Sequence, residues 1–565
     1  RMASGQGGFD IQIQRDNRWI TEAAREQEAD ARALAKKLLS DPKCAGARVV
    51  AIQLKRDGTH VEKVIFEETQ TASGDKPVRI VPIDSAPPYC KTAKDFFGLE
   101  SRMTLNRLFR EYLESVLLTP TEVLHNYKQL QRLFDRDGLL LSSTSHVAAL
   151  QIKGSEITSK VRQAELNIII DQIVAQAKHA QSLKLPPLQA RFSATLAAVP
   201  KVEGHTQEYL AMVVLAQELI KIPSWVGKLD KLCSMAIPET DLTALLLLDT
   251  VIADLLGANV IQELLGWQRS LGSAIISMLD LADGIFDVAN SDAKETATQL
   301  VELLKRNSLP ASQRVLIDRA MRQLKSSAPL YKSEPSKEME EYQRVLARLL
   351  IPGGILSGAQ AAEAMTLRGS QFMEQGGVSG RKAAINATVK ALPDPARGAM
   401  YLAELSKPDL IGEHMDDIVE QLDVVFSARV IDELCRRSMS AKDRMVTATG
   451  AFQAAATSGL PDNIKQQVTQ HIDGVLERYL IDENIIDKLD NPDTHLRDRA
   501  VRLVKFCGAG VLPEGKALAM ARKRVIKLLR QPNFDAHFID GIPDPQRAEK
   551  ALRDFHKLLV QGGLA

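Results

Sequence analysis

Hydrophobic residues recur at helical spacing along most of the chain, and they are densest over residues 240–256. Leucine, isoleucine and valine cover most of the circumference of a helix drawn over this segment, interrupted by Asp249 and Asp254. A helix that is apolar all round must be surrounded by other helices, so we expect this hub helix to lie in the core with Leu246 buried. The segment is shorter than the ~20 apolar residues that cross a bilayer, and no membrane span is expected.

The N-terminal pattern differs, because Ile11 and Ile13 alternate with polar residues at the period of a strand. Asp57-Gly58, between two further alternating runs, is a strong hairpin signal. We therefore predict a small α+β module over residues 8–68, in which one helix covers one face of a sheet. Its expected elements, in ββαββ order, are strands over 9–14 and 18–24, a helix over 31–38, and strands over 47–55 and 61–67.

Residues 69–91 are rich in proline, serine and glycine, which predicts a linker. No further strand is expected after Cys90, because helical runs alternate there with proline or glycine breakers at intervals that fit ordinary helices and short loops. Short loops place successive helices antiparallel, so the helical hairpin is the natural unit. A polar, proline-containing cluster near residue 330 divides this body into expected helical domains over residues 92–328 and 336–565.

The predicted fold class is therefore mainly α: a large multi-helix array, of irregular helical hairpins or a solenoid-like body, with a small N-terminal α+β module. The sequence shows no fixed repeat period, so an irregular array is expected. Two helix starts carry local caps. Residues 119–122 (Thr-Pro-Thr-Glu) match a capping box with proline in the first turn, and Ser440 with Asp443 is a weaker version.

Composition and charge narrow the function classes. The formal net charge is +1, so no overall field attracts the chain to nucleic acid or to an anionic membrane. The five cysteines are far apart and include no Cys-x-x-Cys pair, which argues for free thiols in a reducing compartment and against a zinc knuckle. No basic segment followed by an apolar core opens the sequence, so we expect no signal peptide and a cytoplasmic location.

The segment most suited to binding a phosphate is the glycine-rich stretch over residues 376–382. Backbone amides at a helix start, next to Ser379, Arg381 and Lys382, can hold an anion. The spacing is not that of a P-loop, since GxxxxGK[ST] is not matched and no strand precedes it. A glycine-rich connection between two helices is the alternative and the simpler account.

Two sets of residues are weak candidates for a metal site. Glu413, His414 and Asp417 fall on one helical turn and combine imidazole with carboxylates, although acidic residues are also expected in a first helical turn. Glu122 and His125 have the Glu-x-x-His spacing of helical di-iron sites, which need a second such motif that the sequence lacks. We therefore expect no resident metal and no cofactor.

The strongest basic cluster lies near the C-terminus, in a predicted helix that carries Arg522, Lys523, Lys527 and Arg530. Apolar residues line the other side of this helix at core spacing, so the helix is amphipathic and an ordinary solvated face is the simple alternative. The same face is suited to an acidic protein segment or to RNA. It is the candidate partner-binding site of the sequence.

A nucleophile, a base and an orienting group cannot be placed together from the sequence, because such sets are recognised by geometry. The first interpretation is accordingly a cytoplasmic helical interaction, scaffold or adaptor protein, which has other proteins as partners and no catalytic activity. The alternative is an enzyme or binding protein for a phosphorylated or anionic small molecule. RNA binding through the basic helix is a weaker alternative. The sequence leaves the oligomeric state open.

Overall fold

The computed structural model is mainly helical, with a small antiparallel sheet near the N-terminus, which confirms the predicted fold class. It describes residues 8–15, 18–39, 44, 46–54, 60–69, 78–136, 138–375, 380–407 and 415–564. The chain divides into two compact units. The first consists of Arg1–Phe96, Arg107–Val116 and Tyr127–Ala175, and the second of Phe97–Asn106, Leu117–Asn126 and Gln176–Ala565.

The N-terminal module of the first unit has the predicted ββαββ order. Its elements are β1 (Phe9–Arg15), β2 (Arg18–Arg25), α1 (Glu28–Leu39), β3 (Gly46–Leu54) and β4 (His60–Thr69). The strands form one antiparallel sheet in the order β2-β1-β3-β4. Ile11 and Ile13 are buried with Ala31 and Ala35 of α1, because alternate strand residues share a face, as do every fourth residues of a helix. The predicted turn between β3 and β4 lies outside the described residues.

From residue 92 on, the described chain is almost entirely helical. Its elements are α2 (Ala93–Phe96), α3 (Leu99–Leu108), α4 (Arg110–Val116), α5 (Pro120–Leu124), α6 (Tyr127–Phe134), α7 (Leu139–Gln151), α8 (Ser159–Ser182), α9 (Phe192–Ala198), α10 (Gln207–Ile220), α11 (Trp225–Ala236), α12 (Leu242–Leu256), α13 (Val260–Leu265), α14 (Leu271–Ala282), α15 (Lys294–Lys305), α16 (Pro310–Lys325), α17 (Glu338–Leu349), β5 (Leu350–Ile351), β6 (Gly354–Ile355), α18 (Gly358–Gln375), α19 (Arg381–Ala391), α20 (Pro395–Leu405), α21 (Met415–Gln421), α22 (Asp423–Ser427), α23 (Ile431–Leu434), α24 (Ala441–Ala456), α25 (Asp462–Asp482), α26 (Ile485–Leu489), α27 (Leu496–Gly508), α28 (Lys516–Leu529), α29 (Phe534–Ile539) and α30 (Pro545–Gln561).

The pair of strands β5 and β6 corrects the expectation that no strand follows Cys90. They pair in an antiparallel hairpin around Pro352 and Gly353, and Gly353 has a φ of +70°, which glycine adopts without strain. Strands of two residues are too short to show an alternating pattern, so the hydrophobic periodicity could not reveal them.

Part of the predicted linker is anchored inside the first unit. Nε2 of His146 on α7 lies 3.2 Å from the amide nitrogen of Ile83 and 3.0 Å from its carbonyl oxygen. The guanidinium of Arg162 on α8 is buried and donates a hydrogen bond of 2.9 Å to the carbonyl of Cys90. These contacts hold residues 83–90 against α7 and α8.

The hub helix is α12, which lies in the core of the second unit and contacts α5, α9, α11 and α16. Its buried stripe, which includes Leu248, Ile252 and Leu255, follows the 3.6-residue period. Leu246, however, is 45% exposed, so the expectation that it is buried was wrong. Neighbouring helices cover only one side of the first turns of α12, and Leu246 lies on the other side.

The two aspartates that interrupt the apolar surface of α12 bind the first turns of neighbouring helices. Asp249 accepts hydrogen bonds from the amides of Ala311 (2.7 Å) and Ser312 (3.0 Å) and from the Ser312 hydroxyl (2.5 Å), at the start of α16. Asp254 accepts from the amide of Thr121 (2.9 Å), at the start of α5, and from Arg102 (2.9 Å). Both carboxylates are almost completely buried. They therefore fasten α16 and α5 to the hub helix.

The local caps predicted from the sequence are present. The Thr119 hydroxyl accepts from the amide of Glu122 (3.2 Å), and the Glu122 carboxylate accepts from the amide of Thr119 (2.8 Å), which completes the capping box of α5. Ser440 caps α24 by accepting from the amide of Asp443 (3.1 Å). Both motifs are contained within four residues, so the sequence alone was sufficient to identify them.

The cysteine thiols are buried, and no disulfide joins any of the five. Burial raises the pKa of the Cys435 thiol to about 12, so this side chain is a thiol at neutral pH and a poor nucleophile. No helix among the described residues is both long enough and apolar enough to cross a membrane.

Candidate functional site

The candidate anion site lies at the start of α19, where Arg381 and Lys382 occupy the first turn. The ammonium of Lys382 lies 2.6 Å from the carboxylate of Glu420 on α21, and this hydrogen bond raises the pKa of Lys382. The charge of Lys382 is therefore compensated within the protein. Ser379 lies outside the described residues.

Of the three residues in the first metal candidate, Glu413, His414 and Asp417, the structure describes one. Asp417 lies in the first turn of α21, while Glu413 and His414 lie outside the described residues. In the part of the chain that the structure describes, no three histidine, cysteine or carboxylate side chains are grouped to hold a metal ion.

Glu122 and His125, the second metal candidate, each contact other side chains. Glu122 is fully buried and lies 2.5 Å from the ammonium of Lys228. The ring of His125 contacts those of Phe97 and Tyr209, with centroid distances of 5.0 Å each. Burial lowers the pKa of His125 to about 4, so this imidazole is neutral at pH 7. Both side chains are parts of the core.

The basic helix predicted near the C-terminus is α28. Its core side is buried and consists of Ala517, Leu518, Ala521, Val525 and Leu528. The residue before the helix, Gly515, offers no side-chain cap, and the carboxylate of Asp473 on α25 takes that role. It accepts from the amides of Lys516 (2.7 Å) and Ala517 (3.2 Å).

A Cβ atom at position 515 would lie 2.5 Å from an oxygen of Asp473, so a larger residue there would force the capping carboxylate to move. The cap holds the start of α28 next to Asp473 of α25.

The arginines of α28 are used inside the fold. Arg522 forms a forked pair with Glu514, with both distances 2.8 Å, and the Glu514 carboxylate raises the pKa of Arg522. Arg524 donates to Asp487 (2.7 Å) and to Asp490 (3.0 Å), which ties α28 to α26 and to the loop that follows it. Of the predicted partner-binding residues, Arg522 is therefore already paired.

The other three predicted residues, Lys523, Lys527 and Arg530, are exposed. Among the described residues, no carboxylate lies within 4.0 Å of their charged groups. Their i, i+4, i+7 spacing places them on one stripe, about 10 Å long, that runs along α28 to its C-cap residue, Arg530. This stripe is a row of positive charge that the described fold leaves uncompensated.

An apolar cavity adjoins this stripe. It has a volume of about 300 Å³ and lies between α25, α26 and α28. Lys523 and Lys527 line one side, and Arg524 and Asp487, which pair with each other, also line it. The remaining lining residues are mostly apolar: Leu480, Ile481, Asn484, Ile486 and Met520. We call the cavity, together with Lys523, Lys527 and Arg530, the basic groove.

Ile481 is the most exposed apolar residue of the basic groove, with 57% of its surface accessible. Burial of an aliphatic side chain of this size is worth about 1.5–3 kcal/mol, so a partner that covered Ile481 would gain binding energy. Sequence reasoning identified the cations of α28 and missed Ile481 and Met520. The available signal was weak, because a single apolar residue at the end of a helix is common.

No family model, no curated protein and no solved structure matches this chain. The chemistry of the basic groove is therefore the basis for proposing a function.

Proposed function

We propose that this chain is a helical interaction protein that binds an acidic segment of another protein in the basic groove. One observation supports this most directly: the uncompensated cations Lys523 and Lys527 adjoin the exposed apolar side chain of Ile481. Positive charge attracts and orients an acidic partner, and apolar contact supplies affinity. Binding, rather than catalysis, is the proposed activity.

A protein segment suits the basic groove better than RNA does. Proteins that bind single-stranded nucleic acid combine a long basic track with aromatic side chains on which bases stack. The stripe offers three cations, and the described residues that line the cavity are aliphatic or polar, none of them aromatic. An acidic peptide with aliphatic residues matches both the charge and the apolar floor.

A small-molecule enzyme is also less well supported at this place. Small ligands are usually enclosed in pockets of about 300–1,000 Å³ that bury most of their surface. The cavity of the basic groove is at the lower end of this range, at about 300 Å³, and its lining includes no serine, cysteine or histidine among the described residues. The one carboxylate among the described residues that line it, that of Asp487, is paired with Arg524, so the cavity offers no serine, cysteine or histidine nucleophile with a free carboxylate base beside it.

Fluorescence anisotropy with a labelled acidic peptide tests the proposal. The probe contains glutamate and leucine, and the protein is the full chain. We expect binding that weakens between about 50 and 200 mM salt, because the attraction is screened. In the triple variant Lys523→Glu, Lys527→Glu, Arg530→Glu, binding should be lost. Its melting temperature should stay near that of the wild type, since exposed charges contribute only about 0–1 kcal/mol each.

The control variant reverses Lys550, Arg553 and Lys557 on α30, which are exposed and have nearly the same spacing. It makes the same change in net charge at another helix, so it should retain peptide binding. Equal loss in both triple variants would show a nonspecific charge effect and would contradict the proposal. Tighter binding of a single-stranded RNA oligonucleotide than of the peptide, sensitive to the α28 variant, would favour RNA instead. Absence of peptide binding would refute the proposal outright.

A further inference from the structure

The basic groove lies between two helices that run in the same direction. Asp473, in the middle of α25, binds the first amides of α28. Ile481, two turns further along α25, lines the same cavity as Lys523 and Lys527, which are two to three turns further along α28. The walls of the groove are therefore parallel helices, and their seam extends from Asp473 toward the ends of both helices.

A second cavity continues this seam at the start of α28. It has a volume of about 450 Å³, and both polar and apolar side chains line it. The residues that line it are Phe452, Gln466, Thr469, Gln470, Asp473, Glu514, Gly515, Lys516 and Ala519. From Lys516 to Lys527 the seam is about 16 Å long, at 1.5 Å per helical residue. It has the length of a helix of about three turns, and both apolar and charged side chains are present along it.

The walls of the seam limit the conformation of the occupant. An extended segment binds well where a sheet edge offers free backbone donors and acceptors. The backbone groups of α25 and α28 are hydrogen-bonded within each helix and at the Asp473 cap, so the seam has no such edge. A proline-rich segment needs a groove lined by several aromatic rings. Aliphatic and polar residues line the cavity of the basic groove, and Phe452 is the one aromatic residue among the described residues that line the second cavity. A helix satisfies its own backbone groups and needs neither.

We infer that the basic groove binds an amphipathic acidic α-helix of a partner protein. Aliphatic side chains on one face of that helix enter the cavity beside Ile481 and Met520. Carboxylates at i, i+4 and i+7 positions pair with Lys523, Lys527 and Arg530. This inference rests on the proposed function and adds the conformation of the partner and the apolar anchor.

Three labelled peptides of identical composition test the inference on the full chain. The first places leucine and glutamate on opposite faces of a helix. The second scrambles the order so that leucine is spread around the helix. All three peptides contain one proline, which is terminal in the first. The third peptide keeps the pattern of the first, except that this proline changes places with a central residue and so interrupts the helix. We expect the first peptide to bind at least tenfold more tightly than the others and to gain helical circular dichroism when bound.

Two protein variants separate the apolar anchor from the charge. Ile481→Ser should weaken binding of the first peptide about tenfold and should affect the scrambled peptide little. Val560→Ser is the matched control, because Val560 is 65% exposed and lies on α30, and it should leave binding unchanged. Both side chains are exposed, so both variants should melt like the wild type.

The outcomes distinguish this inference from the proposed function. If all three peptides bind equally, and Ile481→Ser has no effect while the α28 charge reversal abolishes binding, the helix inference is wrong and the acidic-segment proposal stands. If the first peptide binds without gaining helix, the inference is also wrong. If no acidic peptide binds, the proposed function fails and this inference fails with it.

Discussion

The substitution Asp249→Ala tests whether buried carboxylates on the hub helix hold its neighbours in place. Asp249 caps the start of α16, whose own N-cap residue is Leu309. Leucine has no side-chain acceptor, so α16 depends on Asp249 for capping. The substitution leaves the amides of Ala311 and Ser312 without this partner.

The expected loss of stability follows from the burial of these groups. Ser312 is fully buried, so its amide has no access to water, and an unsatisfied buried donor costs about 1–3 kcal/mol. The amide of Ala311 is partly buried and costs less, about 1 kcal/mol. The Ser312 hydroxyl can rotate towards another acceptor. The total is about 2–4 kcal/mol for Asp249→Ala, and about half of that for Asp249→Asn, which keeps one acceptor oxygen.

Amide hydrogen exchange measures this effect where it occurs. In Asp249→Ala, the peptide that covers residues 309–316 should exchange about thirty to several hundred times faster, since ~1.4 kcal/mol corresponds to a factor of ten. The melting temperature should fall in the order wild type, Asp249→Asn, Asp249→Ala. Asp554→Ala is the control, because Asp554 is exposed and lies 3.8 Å from Lys557. It should change stability by less than about 0.5 kcal/mol.

A wild-type exchange rate over residues 309–316 in Asp249→Ala would show that Asp249 does not hold the start of α16 in place. A fall in melting temperature without faster exchange in this segment would also contradict the prediction, because the cost would then arise elsewhere.

Two further predictions concern the core of the second unit. His125 has a pKa of about 4 in the fold and about 6.5 when unfolded, so the unfolded state binds more protons between these values. The contribution of neutral His125 to the free energy of unfolding is complete above pH 6.5 and is lost as the pH falls towards 4, by up to about 3 kcal/mol. Urea unfolding of the wild type and of His125→Gln at several pH values checks this. Equal pH profiles of the two proteins would contradict it. Leu248→Asp should abolish folding, because Leu248 is fully buried. Leu246→Asp, at an exposed position, should yield folded protein with a near-normal melting temperature. Similar yields of the two variants would contradict the placement of α12.

The predictions from sequence that succeeded depend on local patterns. Alternation at Ile11 and Ile13 identified a strand, and helical spacing identified α12 and α28. The capping box at Thr119 and the cap at Ser440 were identified because each is contained within one turn of helix. Such patterns report on the residues nearest in sequence, and no knowledge of tertiary neighbours is needed to interpret them.

The features that sequence reasoning missed depend on contacts distant along the chain. Asp249 and Asp254 were recognised only as interruptions of an apolar helix, because the amides that they cap lie far away in the sequence. Asp473 gave no signal at all. Leu246 was expected to be buried because the apolar pattern of a helix does not show how many neighbours surround it. The cations of the basic groove were found, but not the apolar floor that α25 and α26 supply.

On α28, the arginines form ion pairs within the fold, and the lysines are the residues proposed to bind a partner. Arg522 and Arg524 form fork-shaped or multiple hydrogen bonds to carboxylates, for which the planar guanidinium is suited. Lys523 and Lys527 point to solvent, where a compact, hydrated ammonium group on a flexible stem can adapt to a partner. Charge reversal at Arg522 or Arg524 would break ion pairs of the fold. A loss of peptide binding in such a variant could then result from a loss of stability. The lysines can be reversed without that cost, so they are the residues by which binding at the groove is to be judged.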